Sequence, residues 1–334
     1  MRLKRLNEWS RFPTRFATNS QTRRTPGKQK REATGFHYLL LAAHQSIPPM
    51  PAAYVLLAVL LILTACQSPD ADEAYADRMN REHANDTPVA SAAVVGADTL
   101  DVTGEDVVYA TVGGAEVTGY VVLPDEPPEE VEGPLPGVIV IQEWWGLNDN
   151  IRAMAEKIAA LGYTALAVDL YSGQVAEDRD AAYQYMTEAM EDESALIDNL
   201  TQAYVYLTEV HGSPRVGSIG WCFGGGWSLR AALALPSDLD AVVIYYGQLD
   251  TDPAHLETLQ MPILGLFGED DGGIPVDQVR EFGTVLQDLG KDAEIHIYAN
   301  ANHAFANPSG GRYNAEAAED AWNRTVAFFA ENLL

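Results

Sequence analysis

Cys222 stands in Gly220-Trp221-Cys222-Phe223-Gly224-Gly225-Gly226, with glycine two residues before it and two after. Glycine at those positions suits a nucleophile on a turn so tight that a side chain at either place would strike the backbone. The run Arg215 to Gly220 reads as a strand, and Gly225 to Leu235 reads as an apolar helix stopped by Pro236. A thiol between them lies beside the amide of Phe223 and beside a helix N-terminus. Both favour a thiolate and a developing oxyanion. An isolated cysteine is more often an inert buried thiol. Catalysis therefore needs a base, and an acid to orient it.

Both candidates follow further along the chain. Asp270 and Asp271 come just past the apolar run Ile263–Phe267, in Gly268-Glu269-Asp270-Asp271-Gly272-Gly273-Ile274-Pro275. Of the seven histidines, His303 alone falls between the last strand-like run and the last helical one, in Asn300-Ala301-Asn302-His303-Ala304-Phe305. The order nucleophile, acid, histidine is that of α/β-hydrolases. Either carboxylate there would accept the imidazole Nδ1–H and set the tautomer. Glu143, at the end of the apolar run Val138–Gln142, is a further carboxylate chemically suited to accept a proton.

The elements that must position these groups follow from periodicity. Val107–Val112 and Ala115–Leu123 flank Gly113-Gly114 and read as a hairpin. Val138–Gln142, Tyr163–Val168, the run ending at Gly220, Ala241–Tyr246, Ile263–Phe267 and Ala293–Tyr298 read as strands, the most continuous of them buried on both faces. Helical segments alternate with them: Asp149–Leu161, Asp178–Met190, Glu193–Val210, Val276–Leu289 and Ala315–Leu333. Alternation of this kind predicts an α/β fold with a mostly parallel central sheet and helices on both faces. Ligands bind such sheets at the carboxyl ends of the strands, where every candidate above falls.

From about Val107 onward the chain resembles the dienelactone hydrolase family. The motifs that carry the resemblance are Gln142-Glu143-Trp144-Trp145-Gly146, Asp169-Leu170-Tyr171, Gly220-Trp221-Cys222-Phe223-Gly224-Gly225, Gly268-x-x-Asp271-x-x-Ile274-Pro275 and His303-Ala304-Phe305. The resemblance implies an α/β-hydrolase fold and a Cys222–His303–Asp271 triad that opens esters or lactones through a thioester, with neither metal nor cofactor. Its spacing to Ile274-Pro275 favours Asp271 over Asp270. It also implies an oxyanion hole from the amides of Phe223 and Trp144, and a role for Glu143 in deprotonating the thiol. Trp145 and Trp144 are candidates for an apolar pocket, while Trp227, inside the elbow helix, reads as core. In the family an arginine four residues after the histidine binds the substrate carboxylate. Here that position is Asn307, and Arg312 lies nearby.

Charge and the N-terminal region complete the reading. Of the chain's 21 Lys/Arg and 48 Asp/Glu, ten basic residues and only Glu8 and Glu32 fall in residues 1–50, so the remainder carries a formal −35. A body so acidic repels nucleic acid. The apolar run Ala52–Ala65 is short for a membrane span but has the length of a signal-peptide core. It ends Leu63-Thr64-Ala65-Cys66, which resembles the bacterial lipobox and implies cleavage before Cys66, a lipid on its thiol and a place in the cell envelope. Residues 1–65 are thus expected to be leader, 66–101 a flexible acidic tether and 102–334 the catalytic domain. No disulfide between Cys66 and Cys222 is expected. Two other readings of the same fold stay open: a thioesterase or other acyl hydrolase, and a non-catalytic envelope binding module.

Overall fold

The structure, a computed structural model, describes residues 71–86, 100–128 and 131–334. These belong to one compact unit spanning Gln67–Leu334. The expected leader 1–65, Cys66 with its expected lipid, and half of the expected tether lie outside the described residues.

Eight strands form one sheet. β1 (Val102–Val112) and β2 (Ala115–Pro124) make an antiparallel hairpin in which Val112 pairs with Ala115. The turn between them places Gly113 at φ +57° and Gly114 at φ +84°. A two-residue hairpin turn with positive φ at both positions matches the twist of its strands, and glycine adopts it without a Cβ clash. β3 (Gly137–Ile141), β4 (Thr164–Ala167), β5 (Val216–Trp221), β6 (Ala241–Tyr245), β7 (Ile263–Gly268) and β8 (Ala293–Tyr298) follow. Their order in the sheet is β1-β2-β4-β3-β5-β6-β7-β8. All pairs from β4 to β8 are parallel, and the hairpin joins them antiparallel through β2 and β4. The strands β3 to β7 are buried at every residue, which is why they read as unbroken apolar runs rather than alternating ones.

Between β3 and β5 the sheet reverses direction of growth, since β4 lies on one side of β3 and β5 on the other. Such a switch point opens a crevice at the carboxyl ends of the two strands. Glu143 and Trp144 follow β3, and Cys222 follows β5, so the topology brings them to one rim.

The helices match the periodicity closely. α2 (Asp149–Ala159) starts at an N-cap, Asn148, whose Oδ1 accepts the Ile151 N–H at 3.2 Å. α3 (Arg179–Met190) and α4 (Glu193–Val205) start at Asp178 and Asp192 in the same way. The last five residues expected in α4, Tyr206–Val210, relax into a π turn. α5 (Phe223–Ala234) begins two residues earlier than the glycine run suggests. A short α6 (Pro253–Leu256), α7 (Val276–Asp288) and α8 (Ala315–Leu333) complete the C-terminal half.

One element departs from expectation. Ala71–Glu82, inside the stretch read as a tether, forms a twelve-residue helix, α1, followed by a turn to Asp86. Tyr75, Ala76 and Met79 are buried against the domain, and so is His83 just after it. Tyr183 of α3 donates to Asp77 at 3.1 Å, and Arg78 Nε donates to the Gly273 carbonyl at 3.0 Å. The stripe that seats α1 is only Tyr75, Ala76, Met79 and His83 in an otherwise charged segment. Its apolar content is too small to stand out by composition, though the spacing i, i+4, i+8 is helical.

Candidate active site

The elbow is set by backbone collision. Cys222 has φ 55° and ψ −116°, a region where an L-residue is strained by roughly 1–3 kcal/mol and which therefore tends to mark functional positions. A Cβ on Gly220 would run into the Gly224 carbonyl, and a Cβ on Gly224 into the carbonyls of Ile141 and Gln142. Both glycines are required for the turn to exist. The Cys222 amide donates to the Tyr245 carbonyl at 3.0 Å, and its carbonyl accepts from Gly226 at 3.2 Å. The elbow is thereby tied to β6 and to the first turn of α5. The Phe223 N–H is the first of α5, among the N-terminal donors that helix geometry leaves without an intrahelical partner.

The acid and the histidine come from the loops after β7 and β8. Asp271 is buried while Asp270 is exposed. Asp271 Oδ1 accepts the N–H groups of Gly273 and Ile274, both at 2.8 Å, so the loop itself holds the carboxylate. Its Oδ2 meets His303 Nδ1 at 2.9 Å, and both side chains are fully buried. With Nδ1 committed to Asp271, His303 Nε2 is the free ring nitrogen. It is buried without a hydrogen-bond partner among the described residues, and the imidazole and the Cys222 sulfur lie within 4.8 Å of each other.

Electrostatics follow this geometry. Burial pushes the Cys222 thiol up, but the facing imidazoles of His303 and His83 outweigh it and bring it down to about 5. Burial alone would lower His303; the charges of Asp271 and Cys222 reverse this and hold it well above its ordinary value. Sulfur and imidazole thus favour the thiolate–imidazolium pair. Glu143 is buried, and burial together with the neighbouring sulfur charge raises it to about 7.

The remaining expected residues sort themselves by contact. Asn307 Nδ2 donates to Glu143 Oε2 at 2.7 Å, so the residue in the arginine's place is an uncharged donor that holds the glutamate. Arg312 turns away from Glu143. Its guanidinium bonds the Glu82 carbonyl and carboxylate and the Asp86 carboxylate, all on or just after α1. Trp144 and Trp145 are buried and meet edge to face at 4.9 Å, while Trp227 is core, packed on Phe223. A cavity of about 40 Å³ beside Glu143 is bounded by Ile151, Met154, Trp221, Tyr246 and Asn307. A larger one of about 780 Å³, lined by Glu193, Arg230, Asp250 and His255, contains none of the candidate catalytic groups.

His83 is the residue that sequence reasoning passed over. Its Nε2 lies 3.7 Å from Cys222 Sγ, and its ring stacks on Trp144 with centroids 4.2 Å apart. Met79 Sδ lies 3.8 Å from the same sulfur. Together they roof the thiol, which is fully buried. The one signal that pointed to His83 was its helical spacing from Tyr75 and Met79.

Comparison with known proteins agrees with this geometry. Residues 117–333 match the model of the dienelactone hydrolase family. Protein usf of Aquifex pyrophilus is 35% identical over 227 residues, covering 66% of this chain and 95% of its own. A protein of Saccharolobus solfataricus, provisionally named carboxymethylenebutenolidase, is 33% identical over 259 residues, with coverage of 64% and 94%. The crystal structure of a dienelactone hydrolase-like promiscuous phosphotriesterase from metagenomic libraries superposes with a TM-score of 0.63 at 25% identity, over 70% of this chain and all of that one. With the family's motifs gathered at one rim of its characteristic sheet, the chain belongs to the dienelactone hydrolase family, as an ester or lactone hydrolase of the α/β-hydrolase fold.

Proposed function

We propose that Cys222, His303 and Asp271 act as a nucleophile–base–acid triad and open the ester or lactone through a thioester. The observation that carries this is the His303–Asp271 bond, which turns the other imidazole nitrogen toward a thiol on a strained elbow. The thiolate attacks the carbonyl carbon, and the carbonyl oxygen takes the negative charge. Amides of Phe223 and Trp144 stabilise that oxygen, an arrangement worth about 3–4 kcal/mol per donor where it has been dissected. The protonated His303 gives its proton to the departing alkoxide. It then takes one from water, whose oxygen attacks the thioester and frees the acid. Glu143, held by Asn307, serves as an auxiliary proton acceptor beside the sulfur.

Two further points follow from the contacts. The sulfur is fully buried beneath α1, so acyl transfer requires residues 71–86 to lift. Arg312 is engaged by Glu82 and Asp86, and Asn307 is uncharged. Lifting residues 71–86 takes Glu82 and Asp86 away from Arg312, so the open site offers a substrate carboxylate a cation that the closed one does not. Attachment through a lipid on Cys66, and with it a place in the cell envelope, is part of the same proposal and rests on the lipobox-like Leu63-Thr64-Ala65-Cys66.

The decisive experiment pairs Cys222→Ala with p-nitrophenyl acetate and intact-protein mass spectrometry. Wild type should turn over the ester and carry an acetyl group on Cys222 at short times. Turnover that persists in Cys222→Ala would exclude the thiol as nucleophile.

A further inference from the structure

Two histidine–carboxylate pairs converge on one sulfur. His303 reaches Cys222 with Nδ1 bonded to Asp271 at 2.9 Å. His83 reaches it from 139 residues earlier in the chain, with Nδ1 bonded to Asp86 Oδ2 at 2.7 Å and Nε2 3.7 Å from Sγ. Only the first pair is needed for the triad. Arg312 Nη2 also approaches His83 Nδ1, at 3.1 Å, but the same guanidinium bonds Asp86 directly. The shorter carboxylate contact assigns the ring proton to Nδ1 and leaves Nε2 with a lone pair toward the sulfur. The ligating atoms of His83, Cys222 and His303 all lie within 4.8 Å of one another, and all three residues are buried.

The geometry points to a metal site: His83, Cys222 and His303 bind a borderline-soft divalent cation of the zinc class, which fastens residues 71–86 over the thiol. Two imidazoles and a thiolate are a donor set such ions take. Bond lengths of about 2.3 Å to sulfur and 2.0–2.1 Å to nitrogen put tetrahedral donors about 3.5 Å apart. The 3.7 Å from His83 to the sulfur is already close to this. A carboxylate on the far nitrogen of each ligating histidine is the outer-shell arrangement that fixes the tautomer and raises ligand basicity. His303 Nε2, buried with no partner among the described residues, is aimed into the site. The cation accepts one lone pair each from Sγ and the two Nε2 atoms. The proton shared by sulfur and His303 leaves to solvent, and no electron is transferred.

The consequence for turnover rests on the triad proposed above, because the lone pair bound to the metal is the one that would attack the carbonyl. The binding itself does not rest on it. The test is a cobalt titration of the full chain, with zinc competition followed by calorimetry. Wild type should bind one Co²⁺ with a thiolate-to-metal charge-transfer band, and Zn²⁺ should displace it. Loading with Zn²⁺ should protect Cys222 from iodoacetamide, and a chelator should restore reactivity. His83→Ala should weaken binding at least ~100-fold and Asp86→Asn by ~10–100-fold, the range seen when an outer-shell partner is lost. His255→Ala, which removes an exposed His–Asp pair with no cysteine beside it, should bind as wild type does. Absence of the charge-transfer band in wild type would overturn the proposal. So would affinity in a folded His83→Ala within threefold of wild type, since Cys222 and His303 would then be acting without α1. Because the band and the alkylation rate do not need turnover, an inactive wild type would count against the triad and leave the metal site testable.

Discussion

Asp271→Asn is the sharpest perturbation of the proposed triad, because the structure dictates how the new side chain must sit. The position has two backbone donors on one side, Gly273 and Ile274, and His303 Nδ1 on the other. An asparagine keeps its oxygen toward the two N–H groups, so its NH₂ faces the imidazole. Nδ1 must then accept, and the ring proton moves to Nε2, where it points at the sulfur. The imidazole can no longer take a proton from the thiol. Inverting the tautomer in this way costs ~10⁴ in kcat in serine triads, which is about 5.4 kcal/mol of transition-state stabilisation. The same change removes the carboxylate that supports the imidazolium, so the thiol should rise from about 5 toward the ordinary cysteine value near ~8.5. The assay is ester turnover together with iodoacetamide alkylation across pH on one preparation. A folded Asp271→Asn that keeps kcat within ~10-fold of wild type and the same alkylation midpoint would refute the reasoning from tautomer to thiolate.

Three other outcomes are expected. Glu143 is protonated more readily folded than unfolded, rising from 4.5 to about 7, so its burial costs stability increasingly as pH climbs through that window. Glu143→Gln should accordingly unfold at a higher temperature at pH 8, by up to about 3 kcal/mol of stability, and equal wild type near pH ~4; a variant less stable at both pH values would contradict this. Gly224→Ala sets a methyl against the carbonyls of Ile141 and Gln142 and should cost about 3 kcal/mol or more, seen as a lowered denaturation midpoint and lost activity; a wild-type midpoint would show the elbow to be looser than drawn. Met79→Ala removes a fully buried side chain that seats α1 on the sulfur. At about 2 kcal/mol or more for such a truncation, alkylation of Cys222 should speed up by roughly 30-fold, and an unchanged rate would mean that α1 does not gate the thiol.

Much of the molecule was legible in the chain because its determinants are local. The buried parallel strands announced themselves as unbroken apolar runs, and Gly220 and Gly224 bracketed Cys222 because a side chain at the first would strike the elbow's own backbone and one at the second the backbone at the end of β3. The three candidates Cys222, Asp271 and His303 could be ordered because each sits just past a strand. Motif spacing favours Asp271 over Asp270, and Asp271 is buried and bonded to His303. What had no local signature was the partner of each charged group. Arg312 looked like a spare cation for a substrate carboxylate, but it spans to Glu82 and Asp86, 230 and 226 residues away. Asn307 reads as a missing arginine until its bond to Glu143 is seen. Above all, α1 lies in a stretch whose acidic composition argues for a tether. Its helix is stabilised by a four-residue stripe that has value only once the domain offers a surface to receive it. Composition and period determine which segments become strands and helices and where the elbow cysteine is held. Only tertiary packing decided that a second imidazole, 139 residues before the cysteine, closes over the same sulfur, because burial of so small a face is settled by shape rather than by sequence pattern.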